Sequence, residues 1–250
     1  MLYTPINFHP DIRAVFTTVA DGSIAAGGGK PDTDEHINRR KQLLSANFGT
    51  TDHSKLQIRY GDAMTYATIE RIVDTESQIV VSDAAYTTER GVVIVLPVAD
   101  CIATLVYDPI THMLGVLHLG RHSSVARLIE HFIIEVADTI GSDPRNWHIW
   151  MSPSLKQAHD RMDYFKPVYS EDWELFMSTD VSGKIVIDVE GHNIQRFVRA
   201  GVPREHIYNA PEDTYEDTRF FSQRAADEQD DASRKGRMML AARLSDNNRI

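Results

Sequence analysis

Apolar residues fall along this chain in short runs separated by stretches with helical spacing, the order expected of an α/β protein. AVFTTVA (14–20), KLQIRYG (55–61), TYATIERI (65–72) and SQIVVSDA (77–84) read as short strands. GVVIVLPVADC (91–101) is a continuous β-branched run, the pattern of a strand covered on both faces. CIATLVYD and HMLGVLHL flank Pro109–Ile110–Thr111 and predict a hairpin. WHIWM (147–151), KIVIDV (184–189) and GRMMLAARL (236–244) add three more strands. EHINRRKQLLSANFG predicts a helix with Asp34 as its N-cap and Gly49 as its stop. In SSVARLIEHFIIEVADTIG (123–141), residues Val125, Leu128, Ile129, Phe132, Val136 and Ile140 make one apolar stripe. SEDWELFM (170–177) and GHNIQRFVRAG (191–201) also read as helical, and ADEQDDAS (226–233) as a solvated loop. The chain shows no internal repeat and no linker rich in Pro, Gly or Ser, so one domain over residues 1–250, with helices on a mixed sheet, is expected.

Composition narrows the function. The 250 residues carry a net charge of −10, which disfavours nucleic-acid binding and adhesion to an anionic membrane, since both need a basic surface. No apolar stretch is long enough to span a bilayer. The start, MLYTPINFHPDIRAVF, lacks the basic and apolar regions of a signal peptide. One cysteine excludes an internal disulfide framework. These features together predict a cytoplasmic protein. The glycine-rich segment 21–34 has no phosphate-loop spacing and is placed as a rim over a pocket.

The single cysteine, Cys101, stands at the head of the predicted hairpin, and His118 stands near its end. If residues 108–111 form a four-residue loop, 107 pairs with 112, and Cys101 lies directly opposite His118. Their Cβ atoms would then share a face, about 4.5–5.5 Å apart. A thiol and an imidazole at that spacing can hold a metal ion together, or the imidazole can activate the thiol. The same cysteine can equally be a small buried apolar residue. Asp100 is expected to point to the opposite face and to serve the structure. His9, His53 and His112 fall in loops and are expected to be solvated, and His131 at the edge of the apolar stripe.

These segments resemble a known family. VADC, a hairpin, VLHLGRHS and an apolar helix are similar to the TADC…HAGWRG signature of the YfiH-type laccase-domain proteins. That family's members are variously called polyphenol oxidase, purine nucleoside phosphorylase or peptidoglycan editing factor. DEHINRRKQLL resembles its NRRxL helix, and SPSL (152–155) sits where it has a GPAIGP turn. AGVPREHIYNAPEDTYEDTRFFSQR and KGRMMLAARL resemble its closing segments. The resemblance implies a three-layer α/β sandwich with a surface pocket, where two histidines and a cysteine hold zinc, or copper in the oxidase reading. Carried over residue by residue, Cys101 and His118 are two of these ligands. The third comes from a QVHG segment, which here reads QIRYG and puts Tyr60 in the histidine's place. HLGRHS replaces the family's Trp and Arg with Arg121 and His122, and CTY reads DTY with Asp213.

The resemblance therefore implies a divergent member with a depleted metal site, in which Tyr60 or His122 would be the third ligand. Its leading function is phosphorolysis or deamination of a purine nucleoside, zinc-dependent or metal-free, with Arg121 and Arg224 binding phosphate. The alternatives are a metal-free Cys–His hydrolase or deamidase with an alkylation-sensitive thiol, and a non-catalytic paralogue acting as a binding protein. Copper oxidation ranks below these, because multicopper chemistry needs many His and Cys ligands and the chain has one cysteine.

Overall fold

The computed structural model describes residues 2–3, 8–27, 30–58 and 67–245. In chain order the elements are β1 (Ile12–Phe16), α1 (Asp34–Phe48), β2 (Ser54–Leu56), β3 (Ile69–Arg71), β4 (Gln78–Val80), β5 (Ala84–Thr87), β6 (Ile94–Val98), β7 (Ile102–Asp108) and β8 (Met113–Leu119). There follow α2 (Arg121–Val125), α3 (Leu128–Ile140), β9 (His148–Met151), β10 (Arg161–Met162), β11 (Met177–Thr179), β12 (Ile185–Ile187), α4 (Val189–Arg199), β13 (Ile207–Asn209), α5 (Gln223–Glu228) and β14 (Met238–Leu244).

Two mixed sheets carry the fold, in the orders β1-β14-β6-β2-β4 and β13-β9-β7-β8-β5-β3, with a small antiparallel sheet β10-β12-β11 beside them. The α/β architecture of helices on mixed sheets is as expected, but the strands are divided between two stacked sheets. Phe16, Ile94, Leu96 and Leu240 of the first sheet meet Leu105, Val116 and Trp150 of the second in one buried cluster. Leu44 and Phe48 of α1 cover the outer face of the first sheet. Leu128, Phe132 and Val136 of α3, with Phe197 of α4, cover the outer face of the second. The division arises at Asp100, where a backbone φ of +69° turns the chain out of β6 and into β7. A run that reads as continuous apolar strand thus serves both sheets.

Local chemistry explains most boundaries. Thr33, one residue before the expected cap, accepts the His36 amide and starts α1, and Gly49 ends it at φ +72°. The predicted helix over 123–141 is interrupted. Arg127 sits at φ +57°, and α3 begins only after it, with the predicted stripe residues Leu128, Ile129, Phe132 and Val136 buried. Segment 170–177 is not the expected helix; it makes one 3-10 turn, Ser170–Asp172, before entering β11. Trp173 and Phe165 pack edge to face there, so tertiary burial of the aromatic overrides local periodicity. The acidic segment after Arg224 begins inside α5 rather than as a plain loop. His53, expected in solvent, is 7% exposed and accepts a hydrogen bond from the Arg40 guanidinium. Among the described residues no helix is long and apolar enough to cross a membrane.

Candidate functional site

The β7–β8 hairpin positions the chemistry. Its loop is Pro109–His112, one residue later than expected, because Asp108 stays in the strand and caps the turn. Its carboxylate accepts the Ile110 amide at 2.9 Å and the Thr111 hydroxyl at 3.0 Å. His118 consequently pairs with Ala103 and not with Cys101. Cys101 lies one residue before β7, outside the ladder, and still comes close to His118. A β-carbon added to Gly120 would lie 2.8 Å from Cys101 Sγ and 3.4 Å from His118 Cε1, which places the sulfur and the imidazole around one glycine.

His118 is buried, 4% exposed, and its Nδ1–H donates to the Asp83 carboxylate at 3.1 Å. Asp83 is itself 2% exposed, and its carbonyl accepts the His118 amide at 2.8 Å. The Cys101 sulfur acts on the same ring, and with Nδ1 taken by Asp83, Nε2 is the nitrogen left to serve it. Burial alone would lower the His118 pKa. The Cys101 sulfur and the Asp83 carboxylate outweigh that and push it up to about 10. The imidazole is therefore held as its cation at neutral pH, between a sulfur and a carboxylate. Ser123 locks the turn behind it, taking the Gly120 amide at 3.0 Å and donating to the His118 carbonyl at 2.7 Å.

Cys101 is partly exposed and lines an open cavity of about 990 Å³. The wall around it includes Lys30, Arg121, His122, Asp160 and Arg224. Gly27 and Lys30 of the glycine-rich segment line the cavity. Arg121 has one described hydrogen bond, to the Met162 sulfur at 3.3 Å, and no described bond to a carboxylate. Arg224 is more occupied. It donates to the carbonyls of His159 and Arg161 at 3.0 and 2.7 Å and to Asp160 at 3.3 Å. His122 is exposed on the wall, and burial, then the charges of Arg121 and His118, hold its pKa below the usual histidine value. Asp100 serves the structure: its carboxylate takes the Thr214 hydroxyl at 2.7 Å and the Arg224 amide at 2.8 Å, which fixes the backbone before Cys101.

Two site residues lie outside the sequence reading. Asp83 falls in SQIVVSDA without any motif to mark it, and only the strand pairing of β5 with β8 brings it to His118. Asp160 lies in KQAHD, is 8% exposed and lines the cavity. Burial lifts its carboxyl to about 6 against the opposing charges of Arg224 and Arg121, with Asp100 adding to the rise. A carboxyl so perturbed in a cleft can give or take a proton near neutral pH.

The donors do not complete a zinc site. Cys101 and His118 offer one sulfur and one nitrogen, whereas a catalytic zinc takes three protein ligands. Among the described residues no group of three His, Cys, Asp or Glu converges on a metal position. Tyr60 lies outside the described residues.

Comparisons with known proteins follow the same segments. A family described as multi-copper polyphenol oxidoreductase laccase matches residues 17–245. A protein of Staphylococcus saprophyticus named purine nucleoside phosphorylase is 26% identical over 208 residues, 77% of this chain and 76% of its own. One of the same name from Corynebacterium glutamicum is 22% identical over 85% of this chain and 89% of its own. The crystal structure of YlmD from Geobacillus stearothermophilus superposes with a TM-score of 0.79 at 19% identity, over 95% of this chain and 93% of that one. That of the hypothetical protein YfiH from Bacillus licheniformis gives 0.74 at 21% identity, over 94% and 93%.

Proposed function

This chain belongs to the multi-copper polyphenol oxidoreductase laccase family, and from that premise we propose that it cleaves a purine nucleoside by phosphorolysis in the Cys101 cavity. The carrying observation is the order cavity, Cys101 sulfur, His118 imidazolium, Asp83 carboxylate. In the reaction a phosphate oxygen bonds to C1′ of the ribose while the C1′–N9 bond breaks. The electron pair of that bond leaves with the purine, which needs a proton. Cys101 delivers it from its thiol, and His118 restores it through Nε2. The imidazole then takes a proton back from solvent, and Asp83 keeps it oriented and favours its charged form, the part an orienting carboxylate plays in triads. Arg121, free of any described carboxylate bond, holds the phosphate through its planar fork. Arg224 keeps Asp160 on the cavity wall. The names of the relatives from S. saprophyticus and C. glutamicum support a purine nucleoside as the substrate.

The same order of groups supports a second reading, in which Cys101 attacks an amide or amidine carbon as a metal-free hydrolase or deamidase, with His118 as its proton partner. Product analysis separates the two. Purified protein incubated with inosine is expected to release hypoxanthine and ribose 1-phosphate only when phosphate is present, and Cys101→Ala is expected to abolish it. Ammonia from adenosine without phosphate would replace this reading with the second. No product from either nucleoside, with or without added zinc, would overturn both and favour a binding protein.

A further inference from the structure

A second cavity, of about 400 Å³, opens beside the first, and the two share Gly27, Lys30 and Arg237 in their walls. Its lining includes two cations that the fold has taken out of water, Arg40 of α1 and Lys55 of β2, which are 6% and 8% exposed. One carboxylate stands between them. Asp32 accepts from Arg40 Nη1 at 3.0 Å and from Lys55 Nζ at 2.5 Å. Against its burial, Lys55, the Ala26 amide and Arg40 keep the Asp32 pKa below the usual carboxylate value, so it is ionised.

The remaining titratable neighbour adds no negative charge. His53 accepts from Arg40 Nε at 3.0 Å, and its Nδ1–H donates to the Thr51 carbonyl at 2.9 Å. Burial foremost, with the charges of Arg40 and Lys55, holds its pKa low, so it stays a neutral imidazole. The buried cluster therefore has two positive charges against one negative. Lys30 and Arg237 at the shared seam add two more, in a chain whose net charge is −10. Lys55 Nζ carries three protons and has one described acceptor. A buried charge left without a partner is costly, and a cavity in front of it is where a compensating anion fits. Paired ammonium and guanidinium donors are the groups that bind phosphate oxygens most strongly.

We propose that this second cavity is a phosphate subsite, built on Lys55 and Arg40 and entered past Lys30 and Arg237. Its ligand is the phosphate of a nucleoside 5′-phosphate whose base and ribose occupy the Cys101 cavity, or a free phosphate ion. The nucleoside part rests on the function proposed above; the anion site does not.

The test uses the whole chain and two probes. Potassium phosphate, titrated against chloride at constant ionic strength, raises the melting temperature of the wild-type protein. Lys55→Gln weakens that binding about tenfold or more, the loss of one charge-assisted hydrogen bond. Should Lys55→Gln fail to fold, Lys30→Gln and Arg237→Gln at the open seam each weaken it severalfold. Calorimetry with adenosine 5′-phosphate and adenosine then identifies the source. Tighter binding of the nucleotide, lost in Lys55→Gln, assigns the subsite to a nucleotide. Equal binding of the two, with inorganic phosphate still bound through Lys55, assigns it to the free ion. The proposal is overturned if neither phosphate nor the nucleotide binds in a way that depends on Lys55, Lys30 or Arg237. Phosphate binding through Lys55 without nucleoside turnover would sink the functional reading and leave this subsite standing.

Discussion

Replacing Asp160 with asparagine is expected to stabilise the fold above pH 6, although it removes a carboxylate that faces Arg224 at 3.3 Å. Asp160 is 8% exposed, and burial raises its pKa to about 6 from about 3.8 in the unfolded chain. Between those values the native state keeps a proton that the unfolded state has released. The contribution to stability is therefore full below pH 3.8 and is lost as pH rises through 6. At about 1.4 kcal/mol per pH unit, the loss approaches about 3 kcal/mol at neutral pH. Asparagine keeps the shape and can still accept the Arg224 hydrogen bond, and Arg224 retains its two carbonyl acceptors. At pH 8 the variant should be more stable than wild type by about 1–3 kcal/mol, and at pH 4 nearly equal to it. Urea unfolding at the two pH values, followed by the fluorescence of the buried Trp147, Trp150 and Trp173, measures this. A variant less stable than wild type at pH 8 would refute the reasoning, since it would mean that the ion pair outweighs the burial.

His192 gives the opposite slope. It is 2% exposed, stacked on Trp173 at 3.9 Å, with neither ring nitrogen hydrogen-bonded among the described residues. Burial, with Arg196 adding to it, lowers its pKa from 6.5 to about 4, so stability is full above 6.5 and falls as pH drops through 4. His192→Phe keeps the stack and should flatten this acid loss, up to about 3 kcal/mol, in urea midpoints at pH 4.5 and 7.5; an unchanged slope would contradict it. Gly120→Ala should cost about 1–3 kcal/mol in thermal unfolding, because the new methyl meets Cys101 Sγ at 2.8 Å. The same variant should lose most of its turnover, since sulfur and imidazole must part; full activity would contradict the geometry.

Several features of the fold were legible because their signals are local. The apolar stripe of α3, the Gly49 stop and the hairpin around Pro109 each depend on residues close in sequence. The hairpin register was off by two along the ladder because Asp108 caps the turn from inside the strand, yet Cys101 and His118 still meet around Gly120. The division into two sheets was hidden by a run that stays apolar from Val92 to Val98 and resumes at Ile102 while the backbone turns at Asp100. Helix 123–141 is split into α2 and α3 for a similar reason: Arg127 adopts a left-handed conformation that periodicity does not register. The closeness of Cys101 and His118 was readable from spacing and resemblance. Asp83 and Asp160 were not, because an isolated aspartate has no pattern, and each acquires its partner only through tertiary pairing.

The proposed chemistry requires Cys101 to react through His118. The rate of Cys101 alkylation by iodoacetamide at pH 7, in wild type and in His118→Gln, tests this most directly, with unfolding by circular dichroism confirming that both are folded. Labelling at least tenfold faster in wild type is the predicted result, because the imidazole held by Asp83 beside the sulfur assists its attack. Equal rates in the two proteins would contradict it and leave the sulfur as an ordinary residue of the cavity wall.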